Sequence, residues 1–313
     1  MAASHDESML PSLAHSMADV RSPLLPSAID DGLSGTMADF LELPATTFED
    51  RARRYHQWQA NRQARGVWQF SNTLLAAPAP VVGVSRENGV SRVGLNYASQ
   101  DYLSLSNDQR LKTAALRALD QYGLHSAGSP ILQGNTPESL GLEEALGKAL
   151  GYRHVVLFAT GWAAGFGTIY GLVRKADHVV LDQYAHNCLA VGAQAATPNV
   201  SRVRHLDINA YESRLRKIRR SDAHAAVLVV TEGLFSMDAD SPDLAALHVL
   251  CRRYGAMLFV DVAHDFGATG PGGLGTLARA GLLGEVDLVM GSFSKTFAAN
   301  GGFLASNSAA IKQ

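Results

Sequence analysis

The sequence predicts an α/β fold: a mainly parallel sheet with helices on both faces. Six short aliphatic runs carry that prediction: HVVLFA (154–159), HVVLD (178–182), AAVLVVTE (225–232), AMLFVD (256–261), VDLVMGS (286–292) and GGFLAS (301–306). They have strand length and little polar alternation, as strands buried on both faces do. Helical patterns at Trp162–Val173, Ala210–Arg220 and Pro242–Tyr254 fall between several of them, which is the order that crossover connections produce. The 29 glycines among 313 residues, with 47% hydrophobic and 18% charged residues, suit tight turns and close helix packing.

The preceding elements follow in chain order. Residues 1–45 are rich in Ser, Ala, Met and Asp without periodicity and read as a flexible tail. Thr46–Phe70 starts with a capping residue and carries Phe48, Tyr55, Trp58 and Trp68 on a basic background. It predicts a helix packed on the main domain or on a partner subunit, the alternative being a helix on a membrane surface. A β-like segment near Ala77–Val84 comes next, then NYASQDYLSLS (96–106) and helices at Gln109–Tyr122 and Glu138–Leu150. The domain reading is therefore a tail over 1–45, a helix and β-like segment over 46–95, and a large domain over 96–313.

Composition removes several function classes. With 27 basic against 29 acidic residues and no long basic stripe, nucleic acid is not an expected partner. Cys188 and Cys251 lie far apart and form no C-x-x-C pair, so neither a disulfide framework nor a structural zinc site is indicated. No apolar run approaches the roughly 20 residues that cross a bilayer. The N-terminus lacks the order of a signal peptide, and residues 1–45 carry seven acidic side chains against the single Arg21, unlike a mitochondrial presequence. A cytoplasmic location is expected.

In parallel sheets the chemistry collects at the carboxyl ends of the strands. Asp261 ends AMLFVD there, with His264 three residues on; alone it reads equally well as a cap or structural hydrogen-bond acceptor. Lys295 lies in GSFSKTFAANGGF between two apolar runs, among small hydroxyl residues that withdraw its amine from water. Gly161 and Trp162 open a helix after a strand, where free N–H groups and the helix dipole attract a phosphate. His186 in DQYAHNC can stack on a flat ring, and Ser236 in TEGLFSMDAD can donate to its edge. Each is commonplace singly, a solvated lysine or a turn serine. Together they supply what pyridoxal 5'-phosphate (PLP) requires: an amine, an acid for the pyridine nitrogen, phosphate donors and a stacking ring. Two other readings fit less well. Gly270-Pro-Gly272-Gly-Leu-Gly275 matches the dinucleotide pattern but follows a polar loop instead of a strand, and the pair Asp238 and Asp240, with His264, offers a poor metal site.

NYASQDYLSLS, the TGW turn, DQYAHNCLAVGA, HLD (205–207), TEGLFSMDAD, DVAHDFGATGPGGLG and GSFSKTFAANGG, in this order from about Asn96 to Ala305, resemble the α-oxoamine synthases. That family includes serine palmitoyltransferase, 8-amino-7-oxononanoate synthase and the synthases of quorum-sensing aminoketones. The resemblance implies the large domain of a fold-type I, aspartate aminotransferase-like PLP transferase. It implies an acyltransferase that condenses an amino acid with an acyl-CoA or other acyl thioester, in most members with loss of CO2, to an α-aminoketone. An aminotransferase or aldolase would share the same lysine and aspartate, and a truncated or non-catalytic subunit of such a synthase is the other alternative. By the resemblance Lys295 holds the cofactor as a Schiff base and moves protons, and Asp261 pairs with the pyridinium nitrogen. His264 and Ser236 meet the phenolic oxygen, His186 stacks, and Gly161, Trp162 and Ser292 hold the phosphate. Gln100, where many members have Asn, contacts substrate. A homodimer with active sites at its interface is implied as well. Departures fall at Val262, at Gly128-Ser129-Pro130 and at Ser139. The chain is also expected to end before the smaller C-terminal domain that carries a substrate-binding arginine in relatives.

Overall fold

The computed structural model describes residues 32–40, 47–85 and 89–312. The chain divides into two compact units, Met1–Thr73 with Val84–Arg92, and Leu74–Gly83 with Val93–Gln313.

In the first unit the expected helix forms as α1 (Phe48–Ala64), capped by the Thr47 hydroxyl, which accepts the Asp50 N–H. Trp58 of α1 is buried with Phe40 and Trp68, and Tyr55 packs against them. The Trp58 indole N–H donates to the Ser34 carbonyl at 2.8 Å. Phe40 closes a short 3-10 turn, Met37–Phe40, so within the stretch read as a tail Phe40 is packed while Leu33 and Met37 stay exposed; residues 1–31 and 41–45 lie outside the described residues. Short strands follow at β1 (Thr73–Leu74), β2 (Val81–Ser85) and β3 (Ser91–Leu95).

In the second unit α2 (Gln109–Tyr122) and α3 (Pro137–Leu150) precede the main sheet, the latter begun by a capping box between Thr136 and Ser139. Strands and helices then alternate: β4 (His154–Phe158), α4 (Gly161–Leu172), β5 (His178–Asp182), α5 (Asn187–Ala196), β6 (Val200–Val203), α6 (Ile208–Ser221), β7 (Val227–Glu232), α7 (Leu244–Tyr254), β8 (Met257–Asp261), α8 (Gly275–Arg279), β9 (Leu288–Ser292) and β10 (Gly302–Ser306). One seven-stranded sheet results, in the order β4-β10-β9-β8-β7-β5-β6. All pairings are parallel except those of β10, which runs against both β4 and β9. The six strands read from sequence all form. Strands β1, β3 and β6 and helices α5 and α8 are additions to that reading.

Side-chain alternation along the strands divides the core between the two faces. Val180, Val229, Leu258, Val260, Val289 and Phe303 join one apolar cluster with Leu146 and Leu150 of α3, Leu215 and Ile218 of α6, and Leu247 and Leu250 of α7. Their strand neighbours Val179, Leu181, Leu228, Val230, Phe259, Leu288 and Met290 join the other, with Ile169 of α4 and Leu189 and Ala193 of α5. Both faces are thus covered, which is why the strand sequences carry no polar alternation.

Candidate active site

Five strand ends converge. Strands β5, β7, β8 and β9 are parallel, and β4 shares their direction because β10 reverses twice between β4 and β9. A cavity of about 300 Å³ opens at these carboxyl ends, lined by Gly161, Trp162, His186, Asp261, His264, Ser292 and Lys295, together with Glu232 and Asn300. Seven of the eight residues expected to meet the cofactor therefore share one space. Ser236 does not line it; it lies in an adjoining cavity of about 320 Å³ that shares His264 and includes Tyr102 and Phe235. Gln100 lines a third, more open space of about 430 Å³, which shares Ser294, Lys295 and Asn300 with the first.

One end of the main cavity is built for an anion. Thr160 caps α4, its hydroxyl accepting the Ala163 N–H at 3.0 Å. The N–H groups of Gly161 and Trp162, the first two of the helix, have no protein acceptor among the described residues and carry the positive end of the helix dipole. Ser292 Oγ lies beside them, 2.8 Å from Ser294 Oγ. Gly161 is required here: a Cβ at this position would stand 2.5 Å from both Cβ and Oγ of Ser292.

The floor holds two carboxylates in register, Glu232 ending β7 and Asp261 ending β8. Both are buried. Burial raises the pKa of each, and the charge of Asp261 raises that of Glu232 further. Asp261 is relieved by the Ala263 N–H on its Oδ1 at 2.9 Å and by the nearby Lys295 ammonium. The pair therefore shares one charge, with Glu232 keeping its proton and Asp261 ionised. The Lys295 amine has no hydrogen-bond or ion-pair partner among the described residues.

Two neutral histidines form the walls. Burial, then Lys295, lowers the pKa of His186. Its Nδ1 accepts the Cys188 N–H at 3.3 Å, so the ring proton sits on Nε2. Its backbone N–H donates to Glu232 Oε1 at 2.7 Å, and its ring meets that of Trp162 edge-on at 5.9 Å. His264 is held down to about 4 by burial first, then by Lys295 and His186. The Tyr102 hydroxyl lies 2.8 Å from His264 Nδ1. Burial raises the pKa of Tyr102, so this hydroxyl stays protonated and shares one hydrogen bond with the neutral imidazole. The sequence reading did not assign roles to Tyr102, Glu232 or Asn300. All three lie within motifs named above, and for Glu232 only the strand register reveals its neighbour Asp261.

A mostly parallel seven-stranded sheet sandwiched by helices, with a lysine after β9 and an aspartate ending β8, is the fold of the fold-type I PLP-dependent transferases. The chain belongs to the aminotransferase class I and II family, which it matches over residues 92–313. It is 38% identical over 210 residues to an 8-amino-7-oxononanoate synthase of Vibrio vulnificus, covering 67% of this chain and 53% of that protein. It is 36% identical over 217 residues to a serine palmitoyltransferase of Sphingobacterium spiritivorum, covering 69% and 54%. Both relatives are α-oxoamine synthases, the group its motifs resemble. The chain spans about half the length of these curated relatives. Among solved structures, a serine palmitoyltransferase from S. paucimobilis with a bound PLP–myriocin aldimine superimposes with a TM-score of 0.77 at 27% identity, over 85% of this chain and 66% of that one.

Proposed function

We propose that the chain forms the cofactor-binding part of a PLP-dependent acyltransferase that joins an amino acid to an acyl thioester, acyl-CoA in the first instance, with decarboxylation to an α-aminoketone. One observation carries this reading: an amine and helix-terminal N–H groups that have no protein partner among the described residues line a single cavity of about 300 Å³ with a buried ionised carboxylate. The donor set fits PLP. No protein group is bonded to Asp261 Oδ2 among the described residues, which suits a protonated ring nitrogen, and Gly161, Trp162 and Ser292 suit a phosphate. Bound there, PLP supplies an aldehyde that captures amines and a ring that spreads the charge of a carbanion.

The chain's own groups divide the remaining work. Asp261 keeps a proton on the ring nitrogen, and its burial strengthens that interaction. Lys295 Nζ would hold the cofactor's aldehyde carbon and would carry the proton at the substrate's α-carbon. His186 would cover one face of the ring, and His264 would meet its edge. Ser236 acts from the far side of His264, and Gln100 meets the amino acid in the outer space that leads to Lys295.

Further parts of the reading rest on exposure and redox state. Helix α2 buries none of its residues, and Leu116, Leu119, Leu124, Ile131 and Leu132 are exposed, apolar side chains that suit a homodimer interface. Cys188 and Cys251 are buried and free, which suits the cytoplasm, and no described helix is long and apolar enough to cross a membrane.

The test is product formation. The purified chain, loaded with PLP, is given amino acids with acyl-CoAs of graded length, and products are identified by mass. Thiol release is expected, and Lys295→Ala is expected to lower it by roughly 10³-fold or more, the upper range of proton-transfer catalysis. Undiminished release in that variant refutes the assigned role.

A further inference from the structure

The loop carrying His186 is tied to the end of β7, and the strand end before it is tied to the loop carrying Ser236 through a histidine outside the cavity. Loop 183–186 leaves β5 after Asp182, and loop 233–240 leaves β7 after Glu232. The first tie is the bond from the His186 N–H to Glu232 Oε1. The second is His205, between β6 and α6. Its Nδ1 lies 2.8 Å from Asp182 Oδ1, and its Nε2 lies 3.1 Å from Asp240 Oδ2. The same ring packs against Tyr184 of the first loop, with centroids 4.7 Å apart, and against Phe235 of the second, at 4.5 Å.

Each loop is stiffened so that its anchor controls the rest. Asp182 also accepts the N–H groups of Tyr184 at 2.9 Å and Leu206 at 3.0 Å. In the second loop the Phe235 N–H donates to the Asp240 carbonyl at 2.9 Å and the Ala239 N–H to the Phe235 carbonyl at 3.0 Å, closing a ring around Ser236. Leu206 and Ala239 both have a φ of 56°, a left-handed backbone that persists only where surrounding bonds hold it. His205, Asp238 and Asp240 also approach one another closely enough to hold a cation. Both His205 nitrogens are already bonded to carboxylates, so an ion-pair clamp accounts for the geometry directly. Burial opposes charge on His205, but the bonds to Asp182 and Asp240 outweigh it and raise the pKa, with Asp238 the further acid facing the ring.

We propose that His205 is a positioning residue that holds loops 183–186 and 233–240 in mutual register, and through them the His186 ring and the Ser236 hydroxyl. Its bearing on the cofactor rests on the function proposed above; the coupling of the two loops does not.

Hydrogen exchange on the full chain tests the coupling. Asp240→Ala, cut at the more exposed end of the clamp, is expected to speed amide exchange about tenfold in both loops, the scale of a lost local anchor. His205→Gln does the same, and the double variant adds little because both changes break one link. PLP affinity falls about tenfold in each single variant, and Asp240→Asn, which keeps an acceptor, retains an intermediate affinity and protection. Acceleration confined to 233–240, with 183–186 as protected as in the wild type, overturns the proposal, as do fully additive effects of the two substitutions. If His205→Gln does not fold, Asp240→Ala decides alone. A wild-type chain that takes no PLP contradicts the proposed function and leaves the exchange result to judge the clamp.

Discussion

The carboxyl edge of the seven-stranded sheet and the segment 93–142 break the same rule in opposite directions. At the sheet edge, Asp182, Glu232, Asp261 and His264 are buried. In the segment, Val93, Tyr97, Leu124, Ile131 and Leu132 are exposed, the last three by more than 80%. Buried polar groups and exposed apolar stretches are the informative departures from ordinary folding. A sheet that needed only stability would not bury Glu232 and Asp261 side by side; a segment that stood alone would bury its leucines. The first departure points to a ligand with charges of its own, the second to a macromolecular neighbour.

The contrast is sharpest at the two carboxylates. Asp261→Asn removes the charge assigned to the cofactor and is expected to lower thiol release by about 10²-fold, within the range of single proton-transfer groups. Glu232→Gln imitates the protonated form the site already holds, so release and PLP affinity should stay within about twofold. Equal losses in both variants, measured by the same assay, would mean that the charge is not localised on Asp261.

The buried histidine gives the next effect. His264 titrates near 4 in the fold against 6.5 ordinarily, so the unfolded chain binds the extra proton between these values and stability falls as pH falls through that window. From pH 7 to pH 5 the loss assigned to His264 is about 2 kcal/mol. Denaturant midpoints of His264→Gln should lack that component of the pH dependence; an unchanged slope would show that His264 does not carry it.

On the other side of the comparison, Leu124→Asp or Ile131→Asp should leave the unfolding free energy of the isolated subunit within about 0.5 kcal/mol, as exposed positions do. Self-association measured by sedimentation should weaken about tenfold or more if these side chains sit in an interface core. A destabilised subunit with unaltered association would break the comparison.

The sequence reading succeeded where burial is two-sided. Uninterrupted runs such as HVVLD and AMLFVD declare a covered strand, and chain order alone then puts Asp261 and Lys295 at the same edge. It failed where signals were local and mixed. VSRV at β6 is four residues with alternating burial, and α5 begins at a histidine cap and runs through Gly and Ala, with weak periodicity. Site residues were legible only when their chemistry was unusual for a loop. Glu232 required the register with Asp261, and the separation of Ser236 from the main cavity required the fold of loop 233–240.

The central claim is that one amine and one carboxylate serve a single ring. Borohydride reduction of the PLP-loaded chain, followed by peptide mapping, tests it most directly. The phosphopyridoxyl group should reside on Lys295, with labelling sharply reduced in Asp261→Asn at limiting PLP. A label spread over exposed lysines such as Lys112 and Lys148, with Lys295 unmodified, would contradict it.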